Sequence, residues 1–199
     1  MMMKKFLMMM VVAMMMATSM NAQTAGECNF IARAGGNLTT LTNNKDAKLR
    51  VGWDIGAAFN LCITDQFAVA LDISHDYLGA KSKIADKNLQ LEYLSFGPMA
   101  KYYATPWLAV QAGPELGFLL TAKLGGDKVV SGEKIKDGFK KTELSLPIGV
   151  SFEPKIGNKG GTLVFDLRYH LGLTKVNKDG DSMRNSAFIL TAGYKFNLF

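Results

Sequence analysis

Beyond the first 22 residues, apolar and polar positions alternate with a period of two, and the three-to-four spacing of an amphipathic helix is missing. Val51, Trp53, Ile55, Ala57, Phe59 and Leu61 share one face, and Gly52, Asp54, Gly56, Ala58 and Asn60 the other. The same rhythm places Phe67, Val69, Leu71 and Ile73 opposite Ala68, Ala70, Asp72 and Ser74. It returns in Leu144 to Phe152, in Leu163 to Leu171 and in Phe188 to Leu198. Three further strands are less regular: Phe30 to Thr39 carries glycines, and Leu89 to Tyr103 changes parity near Tyr93-Leu94, which predicts a β-bulge. Leu108 to Lys123 keeps its parity with Pro114 on the apolar side. The sum is about eight strands of roughly ten residues, the length of a tilted membrane strand rather than a soluble one.

Alternation alone does not say which face is wet. The polar face mixes small residues with charges of both signs at mid-strand, namely Arg33, Asp54, Asp72, Lys101, Glu115, Glu143, Asp166, Arg168 and Lys195. That mixture suits the narrow polar interior of a small barrel, filled and cross-linked by paired charges. The links near Cys62–Gln66, Ala104–Trp107 and Pro154–Gly160 are short, whereas those near Leu41–Leu49, Gly79–Asn88, Leu124–Lys141 and Lys175–Asn185 are long and polar. Short turns on one rim and long loops on the other are the transmembrane-barrel arrangement. Trp53, Phe59, Phe67, Tyr77, Phe118, Tyr169, Tyr194 and Phe196 sit on the apolar face as interfacial girdles do, and the chain ends on Phe199. The expected fold is therefore all-β, an antiparallel up-and-down transmembrane barrel of about eight strands.

The first residues set the compartment. Lys4 and Lys5 precede an apolar run from Phe6 to Ala17, and Thr18 to Ala22 is small and polar in the main. That is a signal-peptide layout, with an apolar run of about 12 residues, too short for a membrane helix of about 20. We expect a signal segment over 1–22 and a barrel domain over 23–199, localised to an outer membrane. Glu27 before Cys28 speaks against a lipid anchor on that cysteine.

Composition narrows the chemistry. The net charge of +6 is too small and scattered to suggest nucleic acid, and no cofactor or metal site is expected. Cys28 and Cys62 are the only two cysteines, and antiparallel pairing of the first two strands brings both to the short-turn rim. A disulfide there and two free thiols are both open readings. Of the two histidines, His170 lies on the polar face beside Asp166 and Arg168, and His75 adjoins Ser74, whose side chain leaves on the opposite face. Neither makes a catalytic pair, and no enzyme is expected. Asn177, Asp179 and Asp181 lack the glutamate that completes a calcium loop, and Gly157 to Thr162 reads as a hairpin turn rather than a phosphate loop. The long loops are rich in cations, among them Lys81, Lys83, Lys134, Lys136, Lys140 and Lys141, which could meet the phosphates of lipopolysaccharide.

Several stretches resemble the PorT-like outer-membrane β-barrel family, small barrels of the OmpX/OmpA type. They are Tyr93-Leu94-Ser95-Phe96-Gly97-Pro98-Met99-Ala100-Lys101-Tyr102-Tyr103 with the Thr105-Pro106 turn, Ala112 to Lys123, Asp166 to Thr174, and Gly193-Tyr194-Lys195-Phe196. The resemblance spans Phe30 to Phe199. Where the family commonly has Glu-Ile-Pro, this chain has Ser95-Phe96-Gly97, so no role of that glutamate carries over. Membership implies an outer-membrane barrel whose partners are lipid, lipopolysaccharide and the outer-membrane assembly machinery. The leading expectation is a non-enzymatic structural, adhesive or assembly-linked protein acting through its basic loops. The alternatives are a part in protein secretion or transport with secretion-complex partners, and a lipid A-modifying barrel enzyme.

Overall fold

The structure, a computed structural model, describes residues 23–43, 47–82, 88–125, 133–134, 138–156, 161–178 and 182–198. The signal segment 1–22, Phe199 and the loop lysines Lys83 and Lys136 lie outside the described residues.

Eight antiparallel strands form a closed ring. They are β1 (Cys28–Thr42), β2 (Arg50–Cys62), β3 (Phe67–Ser82), β4 (Asn88–Thr105), β5 (Leu108–Ala112 continued by Glu115–Gly125), β6 (Thr142–Phe152), β7 (Gly161–Gly172) and β8 (Arg184–Asn197). Each strand pairs with the next, and β8 returns to β1 through an unbroken register from Asn29↔Asn197 to Thr42↔Arg184. Among the described residues, no helix is long and apolar enough to cross a membrane.

The register fixes the shape. From Cys28 the cross-strand partners run through Leu61, Val69, Ala100, Ala112, Ile148, Tyr169 and Phe188 and come back to β1 at Leu38. One circuit therefore advances ten residues along β1, from position 28 to position 38. With strands about 4.8 Å apart and a rise of about 3.3 Å per residue, that stagger tilts them by about 40°. At this tilt the outward run from Val51 to Leu61 covers roughly 25 Å of the membrane normal, the height of an outer-membrane apolar band.

The faces fall as the alternation requires. Val51, Trp53, Ile55, Phe59, Leu71, Ile148, Phe165, Leu167, Phe188 and Leu190 are exposed on the outer wall. Arg33, Asp54, Asp72, Lys101, Asp166 and Arg168 are buried in the lumen. Aromatic clusters mark both ends of the band. Phe30 contacts Phe59 and Phe196 near the short turns, and Trp53 stacks on Tyr77 near the long loops, with ring centroids 4.0 Å apart.

Two irregularities have local causes. The β4–β5 register shifts between Glu92 and Tyr93, but the extra residue is Leu120 of β5, not a residue of β4, where the parity change was expected. β5 is broken at Gly113-Pro114, where an uninterrupted strand was expected, because proline has no N–H to give to a ladder. The Gly113 N–H donates to the Pro147 carbonyl, 3.3 Å, and keeps the wall closed across the break.

Towards the long loops the β2–β3 ladder stops at Asp54↔Asp76, and side chains take over the backbone groups it releases. The Thr39 hydroxyl donates to the Gly79 carbonyl (3.2 Å) and accepts the Gly79 N–H (3.3 Å), while Arg50 Nη1 donates to the Leu78 carbonyl (3.0 Å). Gly79 has a φ of +123°, and a Cβ there would collide with the Leu89 carbonyl, so both conformation and space call for glycine.

Other inward glycines make room for the charges. A Cβ at Gly56 would lie 2.8 Å from the guanidinium carbon of Arg33. Gly56→Val should therefore push Arg33 off its partners and destabilise the barrel by roughly 1–3 kcal/mol, the cost of overpacking. The urea midpoint of the folded band on semi-native gels measures this; an unchanged midpoint would mean Arg33 is not confined there.

Candidate functional site

A barrel this narrow has no room for both a conduit and its own inward side chains, so the contents of the lumen decide what the molecule can do. At the short-turn mouth, Glu153 accepts from Lys101 Nζ (2.9 Å), Lys195 Nζ (2.7 Å), the Tyr103 hydroxyl (3.2 Å) and Ser151 Oγ (3.0 Å). In the middle, Arg33 grips Asp72 with both terminal nitrogens, at 2.7 and 2.8 Å. Arg168 joins Asp72 (3.3 Å) to Asp166 (3.1 Å), and Gln111 donates to the other Asp166 oxygen at 3.1 Å. Arg33 Nε also lies 4.0 Å from Asp54. Above them His170 sits between Glu115 (3.5 Å) and Glu143 (3.7 Å), with Asn185 donating to Glu143 and Ser145 to Glu115. Ser74 and Ser95 both donate to Asp76.

A buried ion is tolerated only when paired and hydrogen-bonded, and the lumen supplies both in stacked layers. The nine charges expected in the interior are all buried there. Glu153 and Asp76 belong with them although neither was anticipated as part of the network; continuing β6 from Glu143 by twos ends on Glu153, and continuing β3 from Asp72 by twos ends on Asp76.

The long-loop end is closed by apolar side chains. Leu41, Leu78, Leu91, Tyr93, Leu119, Ile189, Phe139 and Val176 form one buried cluster. Phe139 and Val176 come from two different loops that are zipped together: Lys140 N–H donates to the Val176 carbonyl (2.7 Å) and Lys178 N–H to the Gly138 carbonyl (3.1 Å). An ion entering from outside would meet hydrocarbon first and the layered, paired charges of the lumen next.

The cysteines do not join. Both are free thiols, for a reason of register: Cys28 lies opposite Leu61, one residue from Cys62. A one-residue offset sends side chains to opposite faces, so Cys28 leaves with Phe30 on the outer wall and Cys62 with Asn60 in the lumen, where it is buried. His75 and Ser74 likewise point to opposite faces. His75 lies against Trp53 and Tyr77 outside, and Ser74 is bonded to Asp76 inside. No cluster of metal-ligating side chains occurs among the described residues.

The outer rim carries the remaining chemistry. Lys48 and Lys81 are direct cross-strand partners, and both are exposed. Below them an open groove of about 450 Å³ is lined by Arg50, Trp53, Tyr77, Gln90 and Lys123. Lys123 lies 3.5 Å from Glu92, which also accepts from the Gln90 amide at 2.7 Å. Lys140 and Lys141 lie on the loop that closes the mouth, and Lys134 lies in a two-residue strand paired with β5. This groove escaped sequence reasoning because the extra residue Leu120 shifts the parity of β5 and turns Lys123 outward, where unbroken parity from Leu108 to Lys123 was expected.

These features define a small outer-membrane barrel with a filled lumen. The chain belongs to the family of the outer membrane protein β-barrel domain, which it matches over residues 10–196. Among solved structures it resembles Ail, the attachment invasion locus protein of Yersinia pestis, at 17% identity and a TM-score of 0.51, covering 87% of this chain and all of that one. It also resembles Neisserial surface protein A, at 16% identity and a TM-score of 0.50, covering 85% of this chain and 97% of that one. At such identities the likeness shows the fold alone. No curated protein matches the sequence.

Glu153 lies just beyond β6, at the mouth. Burial pushes its carboxyl up, but Lys101 and Lys195 outweigh burial and hold it below the usual carboxylate range. A depressed folded value stabilises the barrel fully above the ordinary carboxylate range of about 4.3 and loses that stabilisation as pH falls towards the folded value. Glu153→Gln should cost roughly 3–5 kcal/mol at neutral pH by stranding two buried lysines. The gap to wild type should narrow steadily below about pH 4. Urea titrations at several pH values test the sign, and a gap that widens in acid would contradict it.

Proposed function

We propose that this protein is a non-enzymatic, closed-lumen barrel of the outer membrane that works through its basic outer rim, in a structural or adhesive role. The observation that carries this reading is the filled lumen. With the Arg33–Asp72–Arg168 layer in the middle and the Phe139–Val176 cap above, the loops and outer wall are left as the working surface. Lys48 opposite Lys81, with Lys140 and Lys141 on the capping loop, concentrates positive charge at the height of the outer-leaflet headgroups. Outward cations beside stacked aromatics suit a phosphorylated saccharide, so the phosphates of lipopolysaccharide are the proposed ligand. Ail has been solved with the heparin analogue sucrose octasulfate, and a polyanionic saccharide on this rim would be the same chemistry.

The non-enzymatic part of the reading is supported by His170, whose contacts are Glu115 and Glu143. The narrower PorT-like reading, a part in protein secretion, draws on the likeness of Tyr93 to Tyr103 and of Gly193 to Phe196. In that reading a filled barrel serves as a docking component for secretion proteins and not as their conduit.

Reversing three rim charges, Lys81→Glu with Lys140→Glu and Lys141→Glu, should weaken lipopolysaccharide binding by about tenfold or more, since each exposed ion pair contributes about 0.5 kcal/mol. The loss should shrink as salt is raised. Titration of the purified barrel with lipopolysaccharide measures it, and unchanged affinity at low salt would remove the rim from the reading.

A further inference from the structure

The outer wall around β1 and β8 carries a hollow that the fold does not require. Gly36, Leu38, Val51, Leu167, Phe188 and Leu190 line an apolar groove of about 400 Å³ there. Gly36 gives it no side chain. Its φ lies outside the left-handed region, and a Cβ there would meet only the Gly52 carbonyl, at 3.6 Å. Gly35, one residue earlier, is the opposite case, since its Cβ would collide with the Leu190 carbonyl. A strand glycine that neither conformation nor space calls for weakens the sheet, and it marks a place where another group approaches closely.

The register sets out what stands above the hollow. On the outward face Gly36 pairs with Leu190, Leu38 with Phe188, Thr40 with Ser186 and Thr42 with Arg184. Apolar partners thus give way to hydroxyls, and then to a cation. The Tyr169 hydroxyl and Ser186 Oγ lie 2.8 Å apart at the hydroxyl level, and Arg184 is exposed. Arg184 lies about 13 Å along the strand from Phe188.

We propose that this track is a binding site for one lipopolysaccharide molecule, with an acyl chain seated in the Gly36 groove and a lipid A phosphate on Arg184. The inference deepens the reading of lipopolysaccharide as the ligand and rests on it. From membrane core to headgroup, lipid A runs from acyl chain through esters and hydroxyls to phosphate, and the wall offers complements in the same order. A guanidinium meets a phosphate with paired N–H donors. Every outward strand touches hydrocarbon, so an apolar groove alone selects nothing; its alignment with the hydroxyls and the cation selects a phosphorylated lipid. A second copy of this chain fits less well. Val51 and Leu190, 73% and 62% exposed, flank the groove as ridges. A facing sheet would rest on them and leave the hollow empty, forfeiting its contacts. A flexible chain fills it.

Native mass spectrometry of the folded barrel tests the site, with purified lipid A, its deacylated sugar phosphate and phosphatidylethanolamine titrated in separate arms. Gly36→Phe, which fills the groove, and Arg184→Glu should each weaken lipid A binding about tenfold, equivalent to about 1.4 kcal/mol. Gly36→Phe should leave binding of the deacylated headgroup unchanged. Heat-modifiable gel mobility shows which variants are folded, and Arg184→Glu, at an exposed strand end, keeps the test readable if Gly36→Phe is not. Lipid A binding that a folded variant leaves unaltered would overturn the site and spare the rim reading. No binding of lipid A by the wild type would overturn both. Phosphatidylethanolamine held as tightly as lipid A, or a wild-type dimer that Gly36→Phe splits, would assign the groove to another occupant and contradict the proposal.

Discussion

Every backbone N–H and C=O that faces lipid must find its partner within the protein, because hydrocarbon offers none. Closure of the sheet between β1 and β8 meets that demand, and the other features follow from it. A ring of eight strands with a stagger of ten residues has a fixed, narrow bore. The inward side chains of every strand must then share that bore. Where the ladder lapses, other groups repair it: the Thr39 and Arg50 side chains at the β2–β3 gap, and the Pro147 backbone carbonyl across the β5 break.

The bore explains the pairing of charges. Arg33 reaches Asp72 across the space left by Gly56, and Arg168 extends the same layer to Asp166. Removing one member strands its partner, so these residues act as cross-links between distant strands. Such cross-links rigidify the ring only when every member is satisfied. The apolar cap adds a second, independent closure, since Phe139 and Val176 seal the outer end without any charge. On the proposed reading, function falls to the surfaces that remain, so the rim cations bear on the proposed role and the lumen does not.

Much of this was legible in the sequence, and the exceptions are instructive. A lipid-facing strand exposes every second side chain to hydrocarbon, so the period-two rhythm of Val51 to Leu61 or Phe188 to Leu198 survives intact, and with it the face of each interior charge. Glu153 and Asp76 were overlooked because strand ends were drawn too early, not because their parity differed. The cap residues carry no such signal: Phe139 and Val176 lie in loops, where periodicity stops. The cysteines show the limit most clearly. Their sequence positions bring them to one rim, yet a single residue of register places Cys28 outside and Cys62 inside. The groove of Arg50, Trp53, Tyr77 and Lys123 depends on a bulge that lies in β5, whereas the parity change in the sequence pointed to β4.

The filled lumen is the claim on which the functional reading turns, and single-channel recording of the purified, folded barrel in planar bilayers tests it most directly. Insertion should produce no stable conductance steps at neutral pH, with heat-modifiable gel mobility showing that the protein is folded. Reproducible ohmic steps from the wild-type barrel would mean that the Arg33–Asp72–Arg168 layer and the Phe139–Val176 cap do not close it, and would contradict the account.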